Sequence, residues 1–168
     1  MTYHWAMAVK PNDPKWLTDD ELATWMLFIG MVHRLPSALD SQLRRDSRIS
    51  HFEYGVLAAL SAAPDHAMTM SEIADCSRCS LSRLSHVARR MEDREWIERS
   101  PLPTDGRITI AKLTKTGMKH LAAAAPGHVA EVRRLIFSEL RPGQLKVLGD
   151  VSETILAKIG PCEPQAQR

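Results

Sequence analysis

The chain has 168 residues, and its 22 Lys and Arg against 20 Asp and Glu give a formal net charge of only +2. This length allows one domain with a substantial core, and the small net charge means that a nucleic-acid partner must be argued from where the charges lie. No apolar run reaches bilayer-spanning length and no secretory leader is recognised, so we expect a cytoplasmic protein without a membrane partner.

Three helix starts carry the capping-box pattern, in which a hydroxyl residue is followed three positions later by glutamate. The pairs are Thr18 with Glu21, Ser50 with Glu53, and Thr69 with Glu72. They predict helices over about 19–46, 51–62 and 70–77, the first of them kinked at Pro36.

The fourth predicted helix, about 81–94, is the most informative. Leu84, Val87, Ala88 and Met91 recur at helical spacing and form one apolar stripe. The opposite face carries polar and basic residues, namely Ser82, Arg83, His86, Arg89 and Arg90. Ser80 is the expected N-cap, and Arg83 stands where the other three helices have glutamate. A cation in the first turn opposes the helix dipole unless an anion such as phosphate lies nearby. A solvated basic face is the alternative interpretation.

A hairpin should follow, with strands at 96–100 and 108–113. Pro101 and Pro103 should prevent regular pairing in the loop, and Asp105–Gly106 should form the turn. Arg107 could then enter a narrow minor groove with Asp105 bracing it, or the two could form an incidental surface ion pair. Thr114 should cap a fifth helix that kinks or breaks at Pro126–Gly127 and resumes to about 139, and a sixth is expected over 142–159.

Two further clusters leave alternatives open. The Cys76–Cys79 pair has metal or redox spacing, but packing in the turn before the basic helix is the favoured interpretation. Along the first helix, aromatic and basic side chains could form dimer core with a solvated edge, or a pocket for an aromatic or anionic small molecule. These residues are Trp16, Trp25, Phe28, His33 and Arg34. We find no catalytic constellation, so no enzyme, cofactor or metal site is predicted.

Several of these segments together resemble the MarR family of bacterial regulators, in particular actinobacterial members. The most specific are Thr69 to Ala74, Ser80 to Ser85, Arg90 to Glu92, Asp105 to Arg107, and Leu113 to Gly117. The resemblance implies a triangular homodimer with base contacts from Ser80, Ser82, Arg83 and His86, a minor-groove Arg107 braced by Asp105, and an effector that releases the operator. Relatives usually have glycine where this chain has Glu95, which would cost roughly 1 kcal/mol if that position is left-handed.

The sequence therefore predicts a mainly α fold with a small β-hairpin wing. Residues 49–113 would form a winged helix-turn-helix DNA-binding domain, 17–48 and 114–159 a helical dimerisation region, and 1–15 and 160–168 loose termini. The predicted function is a ligand-responsive repressor that binds a palindromic operator in double-stranded DNA as a homodimer. The alternative is a winged-helix module that binds protein and not DNA.

Overall fold

The structure, a computed structural model, describes residues 16–160, and the chain divides after Ser37 into two compact units. The helices are α1 (Asp19–Ser47), α2 (His51–Ala62), α3 (Met70–Cys76), α4 (Leu81–Asp93), α5 (Lys115–Val132) and α6 (Pro142–Ile159). The strands are β1 (Ala67–Thr69), β2 (Ile97–Leu102) and β3 (Asp105–Leu113). The predicted mainly α fold with a small wing is confirmed. The predicted loose ends, 1–15 and 160–168, lie outside the described residues, apart from Gly160.

All three predicted capping boxes are formed. Thr18, Ser50 and Thr69 each accept the backbone N–H of the glutamate three residues on, at 3.1–3.3 Å. Each glutamate in turn accepts the N–H of its cap residue, at 2.7–2.9 Å. Two unsatisfied donors are thus bonded at each helix start, which explains why these boundaries could be read from the sequence.

The antiparallel sheet has the order β1–β3–β2, and β1 was not predicted. The predicted hairpin turn was wrong: residues 103–104 form the turn, and Gly106 lies within β3. Pro101 is not excluded from pairing either, because it lies opposite Thr109 in β2. Since β2 is an edge strand, a residue without an N–H is tolerated there, and the pairing becomes irregular only between Pro101 and Leu102.

The core lies between α2, α3, α4 and the sheet, and Leu43 of α1 with Leu121 and Ala124 of α5 completes it. The predicted stripe of α4 is buried there, with Leu84 and Met91 almost fully enclosed. Glu92 at the end of α4 also accepts the Arg99 N–H at 3.1 Å and the Arg99 Nε at 2.8 Å, and these bonds join β2 to α4. The apolar face of α4 and this ion pair fix which side of the helix remains in solvent.

Two helices end in the same left-handed motif. After α4, Glu95 has φ 58°, and the Glu95 and Trp96 N–H groups bond the carbonyls of Glu92 and Met91. This is a Schellman motif with a non-glycine residue at its left-handed position. The backbone of Glu95 is therefore left-handed, as the predicted cost of a non-glycine residue there required. Residues 74–79 repeat the pattern after α3, where Arg78 has φ 47°.

Helix α5 does not break where predicted. It continues through Pro126 and Gly127 to Val132, and a π-helical segment over Arg133–Phe137 follows. Proline removes one hydrogen bond within a helix but does not end it where the surrounding turns remain bonded. A kink or a break was predicted at Pro126–Gly127; the helix is not broken there, and the irregular backbone lies about seven residues later.

Large apolar side chains are exposed at both ends of the described chain. In the unit up to Ser37 they include Trp25, Leu27 and Met31, and in α6 they include Leu156 and Ile159. Helix α1 is also long and apolar enough, by length and composition alone, to cross a membrane. The expectation that no segment reaches this length is corrected, although a single such helix is weak evidence for a span.

Candidate nucleic-acid interface

The polar face of α4 is exposed along its whole length. Ser80 is the N-cap and its hydroxyl accepts the Arg83 N–H at 3.2 Å, as predicted. The side chains predicted to contact DNA from this helix all lie in solvent, namely Ser82, Arg83, His86, Arg89 and Arg90. Because the opposite face is buried, the helix can meet a partner only with this basic side.

Arg83 is supported by an aromatic ring. The first turn of α4 contains no acidic residue, and the Arg83 guanidinium carbon lies 5.4 Å from the centre of the Phe52 ring. A guanidinium over an aromatic face is attracted to the ring while its N–H groups stay available. Phe52 therefore holds Arg83 near the start of α4 without using its hydrogen-bonding capacity.

Arg90 has a partner that the sequence analysis missed. Its guanidinium lies 3.3 Å from the Glu53 carboxylate, which is almost fully buried at the start of α2. Burial by itself would raise the pKa of Glu53, but hydrogen bonds from Ser50 and the Arg90 guanidinium outweigh it and lower that pKa. Glu53 is therefore ionised at neutral pH. Its capping role was predicted, but no sequence signal links it to a residue 37 positions away.

A cleft of about 720 Å³ runs beside α4. Its charged lining comes from α4 and from the C-terminal part of α1, namely Arg83, His86, Arg90, Asp40 and Arg44. Asp40 accepts the His51 N–H at 2.8 Å and pairs with Arg44. Because the Asp40 carboxylate is already paired with Arg44 and bonded to a backbone N–H, the remaining surface of the cleft is basic and suits an anion.

The wing presents one very exposed cation. The Arg107 side chain is 93% exposed, and its Nε lies 3.4 Å from Asp105 Oδ1. The same carboxylate oxygen accepts the Arg107 N–H at 3.0 Å. Arg107 thus lies within β3, after the hairpin turn and not at the tip of the hairpin. Asp105 bonds both the backbone and the side chain of Arg107, which is the contact that the bracing hypothesis requires.

The residues predicted to form an effector pocket lie on or just before the first part of α1. The rings of Trp25 and Phe28 are 6.3 Å apart and tilted by 33°. Trp16, His33 and Arg34 are exposed. This part of the helix places two aromatic rings and two cationic or titratable groups along one segment, and their binding role stays a prediction.

The turn between α3 and α4 accounts for the cysteine pair. Cys79 supplies the N–H that closes the Schellman motif on Ala74, at 3.0 Å, and its side chain packs against the core. Cys76 is exposed at the end of α3. Within residues 16–160, no three His, Cys, Asp or Glu side chains are grouped closely enough to hold a metal ion. The packing interpretation of Cys79 is therefore supported.

Helices α3 and α4, joined by a tight turn and followed by a hairpin, form a winged helix-turn-helix. Residues 48–108 match the MarR family model. The chain is 36% identical to Sco3205, a MarR family transcriptional regulator from Streptomyces coelicolor that was crystallised in complex with DNA. The alignment covers 92% of this chain and 96% of Sco3205, and the TM-score is 0.83. AbsC, a MarR family regulator from the same organism, is 32% identical, with coverage of 87% and 98% and a TM-score of 0.80.

A curated relative adds a more distant comparison. The HTH-type transcriptional regulator MhqR of Bacillus subtilis is 30% identical over 84 residues, which cover 50% of this chain and 57% of MhqR. That match thus spans little more than half of MhqR, whereas the two Streptomyces structures align over nearly their whole length. The chain belongs to the MarR family of transcriptional regulators, and the resemblance found in the sequence is confirmed.

Proposed function

We propose that this protein is a DNA-binding transcriptional repressor that acts as a homodimer on a palindromic operator and responds to a small molecule. The observation that carries the proposal is the exposed basic face of α4, with Arg83 supported by Phe52 and no acid in the first turn. Sco3205, which is similar over almost its full length, was crystallised with DNA. The relatives are transcriptional regulators, and we infer a cytoplasmic protein without catalytic activity.

Helix α4 would enter the major groove. Ser80, Ser82, Arg83 and His86 occupy its first two turns and are exposed, which is the part of a recognition helix that contacts base edges. Arg83 would read a guanine through two parallel hydrogen bonds, and such a pair discriminates against the wrong base by about 1–3 kcal/mol. Arg89, further along the same face, would bind the phosphate backbone.

The wing would enter the adjacent minor groove through Arg107. A narrow, A·T-rich groove has a deeper negative potential and attracts a guanidinium. Asp105 would restrict the motion of that guanidinium, since its Oδ1 accepts both the Arg107 backbone N–H and the Arg107 Nε. Bracing predicts that Asp105→Ala weakens binding, whereas simple electrostatics predicts that it tightens binding.

A homodimer would cover the exposed apolar side chains near the ends of the chain. The proposed dimerisation region is 17–48 with 114–159, and the proposed DNA-binding domain is 49–113. In a palindromic operator, the two recognition helices of a symmetric dimer would contact half-sites about one helical turn apart. The effector, an aromatic or anionic small molecule, would bind near Trp16, Trp25, Phe28, His33 and Arg34 and release the operator.

The deciding experiment is selection of bound duplexes from a random-sequence pool, followed by titrations of the selected duplex at several salt concentrations. We expect a palindromic consensus and a steep fall of affinity with salt, because phosphate contacts release counterions. Arg83→Ala should relax preference at one base pair, and Arg107→Ala should lose affinity in proportion to flanking A·T content. Absence of any salt-dependent duplex binding would favour the protein-interaction module instead.

A further inference from the structure

Glu53 differs from the other two glutamates that close capping boxes. Glu21 is exposed and Glu72 is partly exposed, whereas Glu53 is only 4% exposed. One of its carboxylate oxygens accepts the Ser50 N–H and hydroxyl at 2.9 and 2.7 Å, and the other accepts the Arg90 guanidinium at 3.3 Å. One buried carboxylate therefore joins the start of α2 to the recognition helix.

Arg90 keeps most of its hydrogen-bonding capacity despite this pair. A guanidinium has five N–H donors, one Arg90 nitrogen contacts Glu53, and the side chain as a whole is 59% exposed. A side chain that is already held in one orientation loses less conformational entropy when it binds a second anion. Glu53 thus fixes Arg90 at the edge of the cleft with several donors still free to bind.

The surroundings of Arg90 favour an anion with phosphate geometry. Arg83 and His86 line the same cleft from α4, and Arg44 lines it from α1. The acid that lines the same cleft, Asp40, is bonded to Arg44 and to the His51 N–H. A planar guanidinium fork binds a phosphate through two parallel hydrogen bonds, and the nearest extended source of phosphates is DNA lying along α4.

The geometry points to Glu53 as a positioning residue that holds Arg90 for one backbone phosphate of bound DNA. This inference rests on the proposed function, because it assigns one contact within the same protein–DNA interface. It gives a buried acid a favourable effect on DNA binding, although its charge alone would repel DNA. The sign of that effect separates positioning from simple electrostatics.

The test is Glu53→Gln, titrated with a fluorescent mixed-sequence duplex of about three helical turns. Such a duplex suffices because phosphate contacts are independent of sequence. We expect affinity to fall about fivefold and the slope of log K against log salt to become shallower by about 0.9, the value of one phosphate contact. Glu72→Gln is the matched control, since it removes the same charge from the same kind of capping box and should leave the slope unchanged.

Arg90→Ala provides a second test that changes an exposed side chain and keeps the Glu53 carboxylate with its bonds to Ser50. It should reduce the slope by the same amount, and Glu53→Gln combined with Arg90→Ala should reduce it no further, because both changes remove one contact. Tighter binding by Glu53→Gln, or an unchanged slope for Arg90→Ala, would overturn the inference. The proposed function fails separately, if the unaltered protein shows no salt-dependent binding of duplex DNA at all.

Discussion

The winged helix-turn-helix and the last helix treat their apolar side chains in opposite ways. In α4, every large apolar residue of the helical stripe is buried, and its polar face lies in solvent. In α6, none of the 18 residues is buried, and Leu156 is 62% exposed. Both helices are amphipathic, so the difference lies in what covers them. The core of one chain covers the stripe of α4, whereas no other part of residues 16–160 buries α6, and a second copy is the cover that we propose for it.

Leu84→Ala should have the largest effect, and it tests whether the core beneath α4 is complete within one chain. Leu84 is 1% exposed in the core beneath α4, and truncation of such a leucine costs about 2–5 kcal/mol of unfolding free energy through lost transfer energy and the cavity left behind. Urea unfolding should show that loss at every protein concentration. A loss that grew on dilution would mean that the core of α4 also depends on a second chain.

Leu156→Asp is the matching test for the exposed apolar face of α6. If a second copy covers α6, this change should remove roughly 1.5–3 kcal/mol of burial per protomer and leave a charge in the interface. Sedimentation should then shift from about twice the chain mass towards the monomer. Ala157→Asp adds the same charge on the face of α6 that carries Lys146 and Asp150, away from the apolar side chains, and should leave the dimer intact. A monomeric unaltered protein would contradict the dimer proposal.

The comparison also shows what could be predicted from sequence. Helix starts were correct because a capping box is a local chemical signal, complete within four residues. β1 was missed because three residues become a strand only by pairing with β3. The hairpin turn was misplaced for the same reason: Asp105–Gly106 favours a turn locally, but Asp105 pairs with Leu102 of β2 and Gly106 lies within β3. Strand pairing across the fold decided both cases.

In the candidate site, too, the features set by local sequence could be predicted, and those set by contacts between distant residues could not. The exposed face of α4 follows from helical periodicity, so the positions of Arg83 and His86 could be predicted. The Glu53–Arg90 pair joins residues 37 positions apart and could not. The left-handed Glu95 was anticipated only as a conditional cost, because relatives usually have glycine there. Position in the sequence thus predicts which face is presented, whereas the contacts that orient each side chain depend on packing between helices.

Glu95→Gly tests whether the winged helix-turn-helix, whose core one chain completes, still contains a strained backbone position. Glu95 has φ 58° in the motif that ends α4, a conformation that costs a non-glycine residue about 1 kcal/mol. Glycine should therefore stabilise the protein by about that amount and raise the melting temperature by roughly 2–4 °C. Glu95→Ala removes the charge but keeps the strained backbone, so it should show little gain. Equal gains from both changes would assign the effect to charge.

The smallest expected effect is a pH dependence of stability from two histidines of α5. Burial lowers the pKa of His120, stacked on Trp96 with a centroid distance of 4.2 Å, and Arg94 lowers it further. Burial also lowers the pKa of His128, with a contribution from His51. Both folded-state pKa values therefore lie below the unfolded value of about 6.5. As pH falls below about 6.5, the unfolded chain therefore binds more protons than the folded chain. The free energy of unfolding should be highest above this pH and should decrease as the pH falls further.

Urea unfolding at about pH 7.5 and pH 5.5 measures this loss, and the window lies above the range in which most carboxylates titrate. The double variant His120→Gln with His128→Gln should lose less stability over the same interval than the unaltered protein. Both histidines lie in the proposed dimerisation region, but they contact Tyr54 and Trp96 of their own chain, so the loss should be the same at all protein concentrations. A loss that depended on concentration would place the titrating groups at the dimer contact, and the comparison between covered and uncovered helices would then extend to α5.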